Sequence, residues 1–198
     1  IKKEKKVTED LSLVPLSYYN KTKMISERVL LSYKDKINVY CVRPATVCGP
    51  SPRMRLDVTI NMLTYQAIKN GNITVLGGKQ IRPNINIYDL SKIYYEMIFN
   101  KSIKPGIYNA GFENLSVDQI AKIISKKTNC RIIYKKSNDP RSYRLDSTKL
   151  LKTGFKPEHT VLGTIDNLIK FYRTNSLNKE KCENINWMRR KKINGQIN

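Results

Sequence analysis

Apolar and polar positions recur along this chain in two rhythms, one of three to four residues typical of helices and one of two typical of strands. The first sixteen residues follow neither and predict an extended, charged lead-in with Pro15 near its end. Over 18–34, Met24, Val29, Leu30, Leu31 and Tyr33 supply one apolar helix face, and Ser17 is placed to cap it. Residues 37–43 then read as a buried strand that stops at Pro44, which has no N–H for a ladder. A second helix over 57–70 turns Ile60, Leu63, Ala67 and Ile68 inward and closes at Gly71. Strands over 73–76 and 84–87 follow, with Gly77-Gly78 in a hairpin-like context, and then a helix over 89–100. Pro105-Gly106 turns into a strand over 107–109, Ser116 caps a helix over 117–127, and 130–135 is a further strand. The last helix spans 160–172, and from Asn175 periodicity fades. Helices and strands in alternation predict an α/β fold.

Charge raises a competing possibility. The 198 residues hold 37 Lys and Arg against 16 Asp and Glu, a formal charge of +21, which makes nucleic acid or an anionic surface a partner to weigh. The lysines are scattered through every segment, however, without zinc-finger spacing, a ribonucleoprotein-type aromatic run or helix-turn-helix punctuation. The densest basic run, Met188-Arg189-Arg190-Lys191-Lys192, falls in a polar tail and reads as a solvated end. No specific nucleic-acid partner is expected. No stretch reaches the ~18–20 apolar residues of a membrane span, and the start lacks the apolar run of a signal peptide, so a cytoplasmic location is expected. Cys41, Cys48, Cys130 and Cys182 lack metal-ligand spacing and read as free buried thiols, and no metal site is expected. His159, in a Pro-Glu-His-Thr turn, reads as a solvated loop residue.

Candidate chemistry begins at Tyr19-Asn20-Lys21-Thr22-Lys23. Positions i and i+4 of a helix share a face, so the Tyr19 phenol and the Lys23 ammonium can address one small volume. A tyrosine alone titrates near ~10, and a fixed cation stabilises the phenolate enough for proton exchange with a substrate hydroxyl near neutrality. Tyr18 has Thr22, not a lysine, at i+4.

Downstream, Val42-Arg43-Pro44-Ala45-Thr46-Val47-Cys48-Gly49-Pro50 follows the strand, and Ile81-Arg82 and Ile87-Tyr88-Asp89 come next. Gly106-Ile107-Tyr108-Asn109 and Arg141-Ser142-Tyr143-Arg144 then arrive in order. This ordered series, over roughly 9 to 173, resembles the extended short-chain dehydrogenase/reductase superfamily, specifically its NAD-dependent nucleotide-sugar epimerases and dehydratases. The resemblance implies an incomplete Rossmann-like NAD(P)-binding domain, its C-terminal portion, joined to a small α/β substrate-binding domain over 1–173, with a basic polar tail over 174–198. The Gly-rich strand–turn–helix that receives a dinucleotide pyrophosphate is absent from the sequence, so the chain is expected to be the C-terminal part of an enzyme and, alone, to bind NAD negligibly.

The same resemblance implies roles. Tyr19 would be the general acid/base, and Lys23 would stabilise its phenolate and bond the nicotinamide ribose. Pro44, Ala45 and Val47 would lie beside the nicotinamide of NAD or NADP, and Thr46 would stand where relatives contact substrate. Arg82 and Arg141 would clamp the diphosphate of an NDP-hexose, with Arg144 competing for the second place and Arg53 and Arg55 at the rim. Asn109 and Asp89 would be structural, as strand and helix-cap residues. A homodimer through the helix bearing Tyr19 is the partner expected of the parent enzyme. From another class comes a non-catalytic remnant or interaction module that keeps the fold. These motifs are common to epimerases, dehydratases and reductases, so the sugar and the reaction stay open.

Overall fold

The computed structural model describes residues 6–137, 142–184 and 187–188. Its elements run α1 (Tyr18–Leu31), β1 (Tyr40–Pro44), β2 (Thr46–Cys48), α2 (Thr59–Asn70), β3 (Asn72–Leu76), β4 (Ile81–Asn86) and α3 (Ile87–Phe99). They continue with β5 (Gly106–Ala110), β6 (Glu113–Ser116), α4 (Val117–Thr128), β7 (Arg131–Lys135), α5 (Thr148–Leu151), α6 (Val161–Thr174) and α7 (Lys179–Cys182).

Apolar side chains gather in two cores. Ile85, Ile93, Tyr108, Ala110, Leu150 and Phe155 form one, built on the parallel pair β1–β5 with α3 and α5. Ile60, Leu63, Ile73, Val75, Ile120, Ile124, Ile165 and Leu168 form the other, where α2, α4 and α6 enclose the parallel pair β3–β7. The sheet β2-β4-β6 serves both, giving Cys48 to the second core and Ile85 to the first.

One run of chain changes sheets at Ala45. β1 pairs with β5 in the register Arg43↔Asn109 and Pro44↔Ala110, whereas β2 pairs with β4 in the register Thr46↔Asn84. The Ala45 N–H donates to the Ala110 carbonyl at 2.7 Å across the switch. Among the described residues β1 bonds to β5 alone in its sheet, so the N–H that Pro44 lacks breaks no bond of that ladder.

Local signals hold where they were strongest. The Ser17 hydroxyl accepts from Asn20 N–H, Ser116 forms a capping box with Gln119, and Gly71 ends α2 at φ 65°. Other expectations change. α1 ends at Leu31 and buries none of its residues, so the apolar face over 18–34 is largely open, with Val29 and Leu30 about half exposed. Gly77-Gly78 is no hairpin: β3 and β4 belong to different sheets, and the Gly78 carbonyl instead accepts from Asp118 N–H at the start of α4.

His159 is not a solvated loop residue. Asn86 caps α3, and Asp89 inside its first turn is buried and receives the Glu158 and His159 N–H groups at 3.0 and 3.1 Å. The His159 ring Nδ1 lies 3.0 Å from the same carboxylate. Beyond α6, Cys182 is buried in the second core and its carbonyl accepts from Leu56 N–H. Most of the basic run beginning at Met188 lies outside the described residues. All four cysteines are buried and free. No helix among the described residues is long and apolar enough to cross a membrane, and no cluster of His, Cys, Asp and Glu there could hold a metal ion.

Candidate active site

Because Ser17 starts α1 one residue before the tyrosine pair, Tyr19 and Lys23 fall one turn apart on one face, with Lys23 Nζ 5.5 Å from the Tyr19 ring centroid. Tyr18 has a lysine too: Lys21 Nζ, at i+3, lies 5.7 Å from its ring, a neighbour that counting only i+4 positions misses. The two tyrosines differ in surroundings. Tyr19 is 68% exposed and Tyr18 87%. Arg55 is held by both oxygens of Asp57, at 2.8 and 2.9 Å, and that bond raises its pKa, with a smaller push from the charge of a Tyr19 phenolate nearby. The same bond lowers the Asp57 carboxyl below its ordinary value. Lys23 is the cation placed against the Tyr19 ring.

The end of β1 meets α1 at Glu27. Arg43 Nε and Nη2 donate to the two Glu27 oxygens at 2.9 and 2.6 Å, and Nη1 donates to the Glu9 carbonyl at 3.1 Å. The bond to Glu27 raises the Arg43 pKa above its ordinary value. Asn109, paired with Arg43 on β5, is buried: its N–H donates to the Glu9 carboxylate, and its amide donates to the Val7 and Asp146 carbonyls. A cavity of about 570 Å³ opens between α1, the end of β1 and the lead-in, lined by Asn20, Met24, Arg43, Pro44, Asn109 and Tyr143 among others.

Of the described residues assigned a catalytic, cofactor or substrate role from the sequence, Pro44 lines this cavity and the others lie elsewhere on the elements around it. From α1 it is Asn20 and Met24 that line it, and Tyr19 and Lys23 each stand one position before them on the neighbouring helix face. Ala45 is buried, and Thr46 and Val47 are half-buried on β2. Arg82 is half-buried on β4 opposite Leu115. Arg141 lies outside the described residues, but the segment after it runs against Ile81: Ser142 Oγ accepts from Ile81 N–H at 3.0 Å, and Tyr143 N–H donates to the Ile81 carbonyl. Arg144 is exposed. Arg53 is engaged by Asn184 and by the Trp187 ring, 4.5 Å from its centroid. Sequence reasoning assigned no role to Arg43, Glu9 or Glu27. The spacing 19, 23, 27 on one helix face was the available signal for Glu27.

The NAD dependent epimerase/dehydratase family matches residues 2–111, more than half of the chain. The chain belongs to that family. It is 28% identical, over 188 residues, to a UDP-glucose 4-epimerase of Lactobacillus helveticus, covering 80% of this chain and 56% of that one. It is 37% identical over 93 residues to the uncharacterized UDP-glucose epimerase YtcB of Bacillus subtilis (strain 168), covering 46% of this chain and 29% of that protein. Among solved structures, UDP-glucuronic acid 4-epimerase from Bacillus cereus, in complex with UDP-glucuronic acid and NAD, superposes with a TM-score of 0.76 at 25% identity, over 87% of this chain and 57% of that one. The UDP-glucose 4-epimerase of Thermus thermophilus, in complex with NAD, gives 0.77 at 16% identity, over 88% and 60%, a likeness of fold alone. The architecture is the Rossmann-like α/β fold of these proteins in the part that the chain covers, and the chain spans little more than half the length of the longer matches.

Proposed function

We propose that this chain carries the proton-transfer and substrate-binding portion of an NAD-dependent nucleotide-sugar epimerase or dehydratase acting on an NDP-hexose. The observation that carries the reading is the Tyr19–Lys23 pair at the N-terminal end of α1, the helix whose Asn20 and Met24 line the cavity at which Pro44 ends the parallel strand β1. Open α/β sheets bind their ligands beyond the carboxyl ends of parallel strands. The exposed phenol and ammonium on one face of α1 are the groups that the nicotinamide–ribose end of a dinucleotide would meet. NAD or NADP, when bound, accepts or returns the hydride.

The remaining work falls to the chain's own side chains. Tyr19 takes a proton from a sugar hydroxyl and returns it in the reverse direction, while Lys23 stabilises the phenolate and hydrogen-bonds the ribose. Pro44, Ala45 and Val47 shape the nicotinamide side of the cleft, and Thr46 faces substrate. Arg82 and Arg141 grip the diphosphate, since guanidinium forks from two separate segments can hold it bidentately. Sugar nucleotides named with the relatives, UDP-glucuronic acid among them, set the substrates to try first.

The test is an assay of the protein, joined to a dinucleotide-binding segment, with NAD and UDP-glucose or UDP-glucuronic acid, following the epimeric product. Conversion that disappears in Tyr19→Phe is the expected result. Conversion that survives Tyr19→Phe undiminished would overturn the assignment.

A further inference from the structure

We propose that Arg43, acting through Glu27, is the positioning residue that fixes Tyr19 and Lys23 relative to the end of β1; its kinetic consequence rests on the function proposed above. α1 buries no residue, and only Met24 and Leu31 among its apolar side chains are half-buried, so apolar packing holds its rotation weakly. Among the described residues, the other hydrogen bonds of its side chains stay within the helix, as with Thr22 to the Tyr19 carbonyl and Ser26 to the Thr22 carbonyl. The two bonds from Arg43 to Glu27 are the hydrogen bonds that reach from an α1 side chain to another element.

That contact is placed to transmit geometry. Residues 19, 23 and 27 follow one another at i+4, so Glu27 stands on the face that presents the phenol and ammonium. The pair is shielded, with side chains 21% and 14% exposed, where a charge-assisted bond is weakened less by solvent. A guanidinium bonded at both Nε and Nη2 fixes the plane of the carboxylate, which a lysine ammonium cannot do. The third donor, to the Glu9 carbonyl, ties the lead-in to the same group, and the Glu9 carboxylate in turn accepts from Asn109 N–H on β5. One guanidinium thus joins the lead-in, α1 and β1 at the wall of the cavity.

Hydrogen exchange on the 198-residue chain tests the anchoring without reference to any reaction. Arg43→Lys and Glu27→Gln should each speed exchange of the α1 amides about tenfold, the loss expected of one charge-assisted bond, and leave α4 and α6 unchanged. The charge reversal Arg43→Glu with Glu27→Arg should restore most of the protection. Unchanged α1 exchange in the single variants would overturn the proposal, and so would uniform loss across α1, α4 and α6, which would make the pair a stabiliser of the whole fold.

In the enzyme assay, Arg43→Lys should lower kcat roughly 10–100-fold while the sugar-nucleotide KM stays within about twofold, because displacing an acid/base costs turnover rather than binding. The reversal should recover kcat. A raised KM with unchanged kcat would overturn positioning in favour of direct binding. If the wild type turns over no sugar nucleotide, the functional reading falls and the exchange arm alone decides whether Arg43 anchors α1.

Discussion

Gly111 lies so close to Ala45 that a Cβ built on it would stand 2.5 Å from the Ala45 Cβ and 3.1 Å from Leu145 Cδ2. This is the place where the chain passes from β1 to β2, with the Gly111 N–H and carbonyl both held by the Ser147 hydroxyl at 2.9 and 2.8 Å. Gly111→Ala should therefore destabilise the fold by about 1–3 kcal/mol, the usual cost of overpacking. Adding Ala45→Gly should recover most of that loss. Urea denaturation of the single and double variants decides it, and a Gly111→Ala protein as stable as wild type would refute the close approach.

Tyr19→Phe should lower turnover roughly 10²–10⁴-fold, the range for a lost general acid or base. Tyr18→Phe should do little. The comparison is demanding, since each ring has a lysine close by, at 5.5 and 5.7 Å. Equal losses in steady-state assays would mean that the wrong helix face had been chosen.

For Arg82, the decisive substitution keeps the charge. Arg82→Lys should weaken binding of a nucleoside diphosphate and its sugar conjugate alike by about tenfold to a hundredfold, since an ammonium cannot reproduce the bidentate fork. Calorimetric titration with UDP and a UDP-sugar reads both. Normal UDP binding with altered choice among sugars would put Arg82 in the sugar pocket.

Asp89→Ala should cost about 2–4 kcal/mol in urea denaturation, because the Glu158 and His159 N–H groups lose a buried, charged acceptor together. Asp89→Asn, which keeps one acceptor oxygen, should cost less. Matching stabilities for all three proteins would mean that the segment before α6 is held by something else.

Alkaline pH should destabilise the fold. Burial pushes the Cys48 thiol up from 9.0 to about 12, and burial also raises Tyr172, whose hydroxyl donates to the Asn61 carbonyl. The folded state then holds protons that the unfolded chain releases. Stability is fully present below pH 9 and falls between pH 9 and about 12 by roughly 1.4 kcal/mol per pH unit for Cys48, with Tyr172 adding to the slope above pH 10. Denaturant midpoints from about pH 8 to 11 should fall less steeply in Cys48→Ala than in wild type. Parallel curves would count against the shift.

The residues that act locally were legible in the amino-acid order. Ser17, Ser116 and Gly71 mark helix ends through bonds and backbone angles spanning three or four residues, Pro44 ends a strand by its own ring, and the i+4 spacing of Tyr19 and Lys23 makes them neighbours wherever α1 forms. Short elements were not legible. β2, β6, α5 and α7 span three to four residues each, too few for a period to show.

What tertiary structure decided is every relationship between distant positions: the transfer from β5 to β4 at Ala45, the burial of Asp89 against His159, and the hold of Arg43 on Glu27. A hydrophobic pattern states that a face is apolar but not what covers it, which is why the helix α1 was legible and its exposure was not. Hydrogen-bond partners 16 or 70 residues apart meet only after strand pairing has fixed where each segment lies, and that pairing follows the combined fit of both cores rather than any local preference.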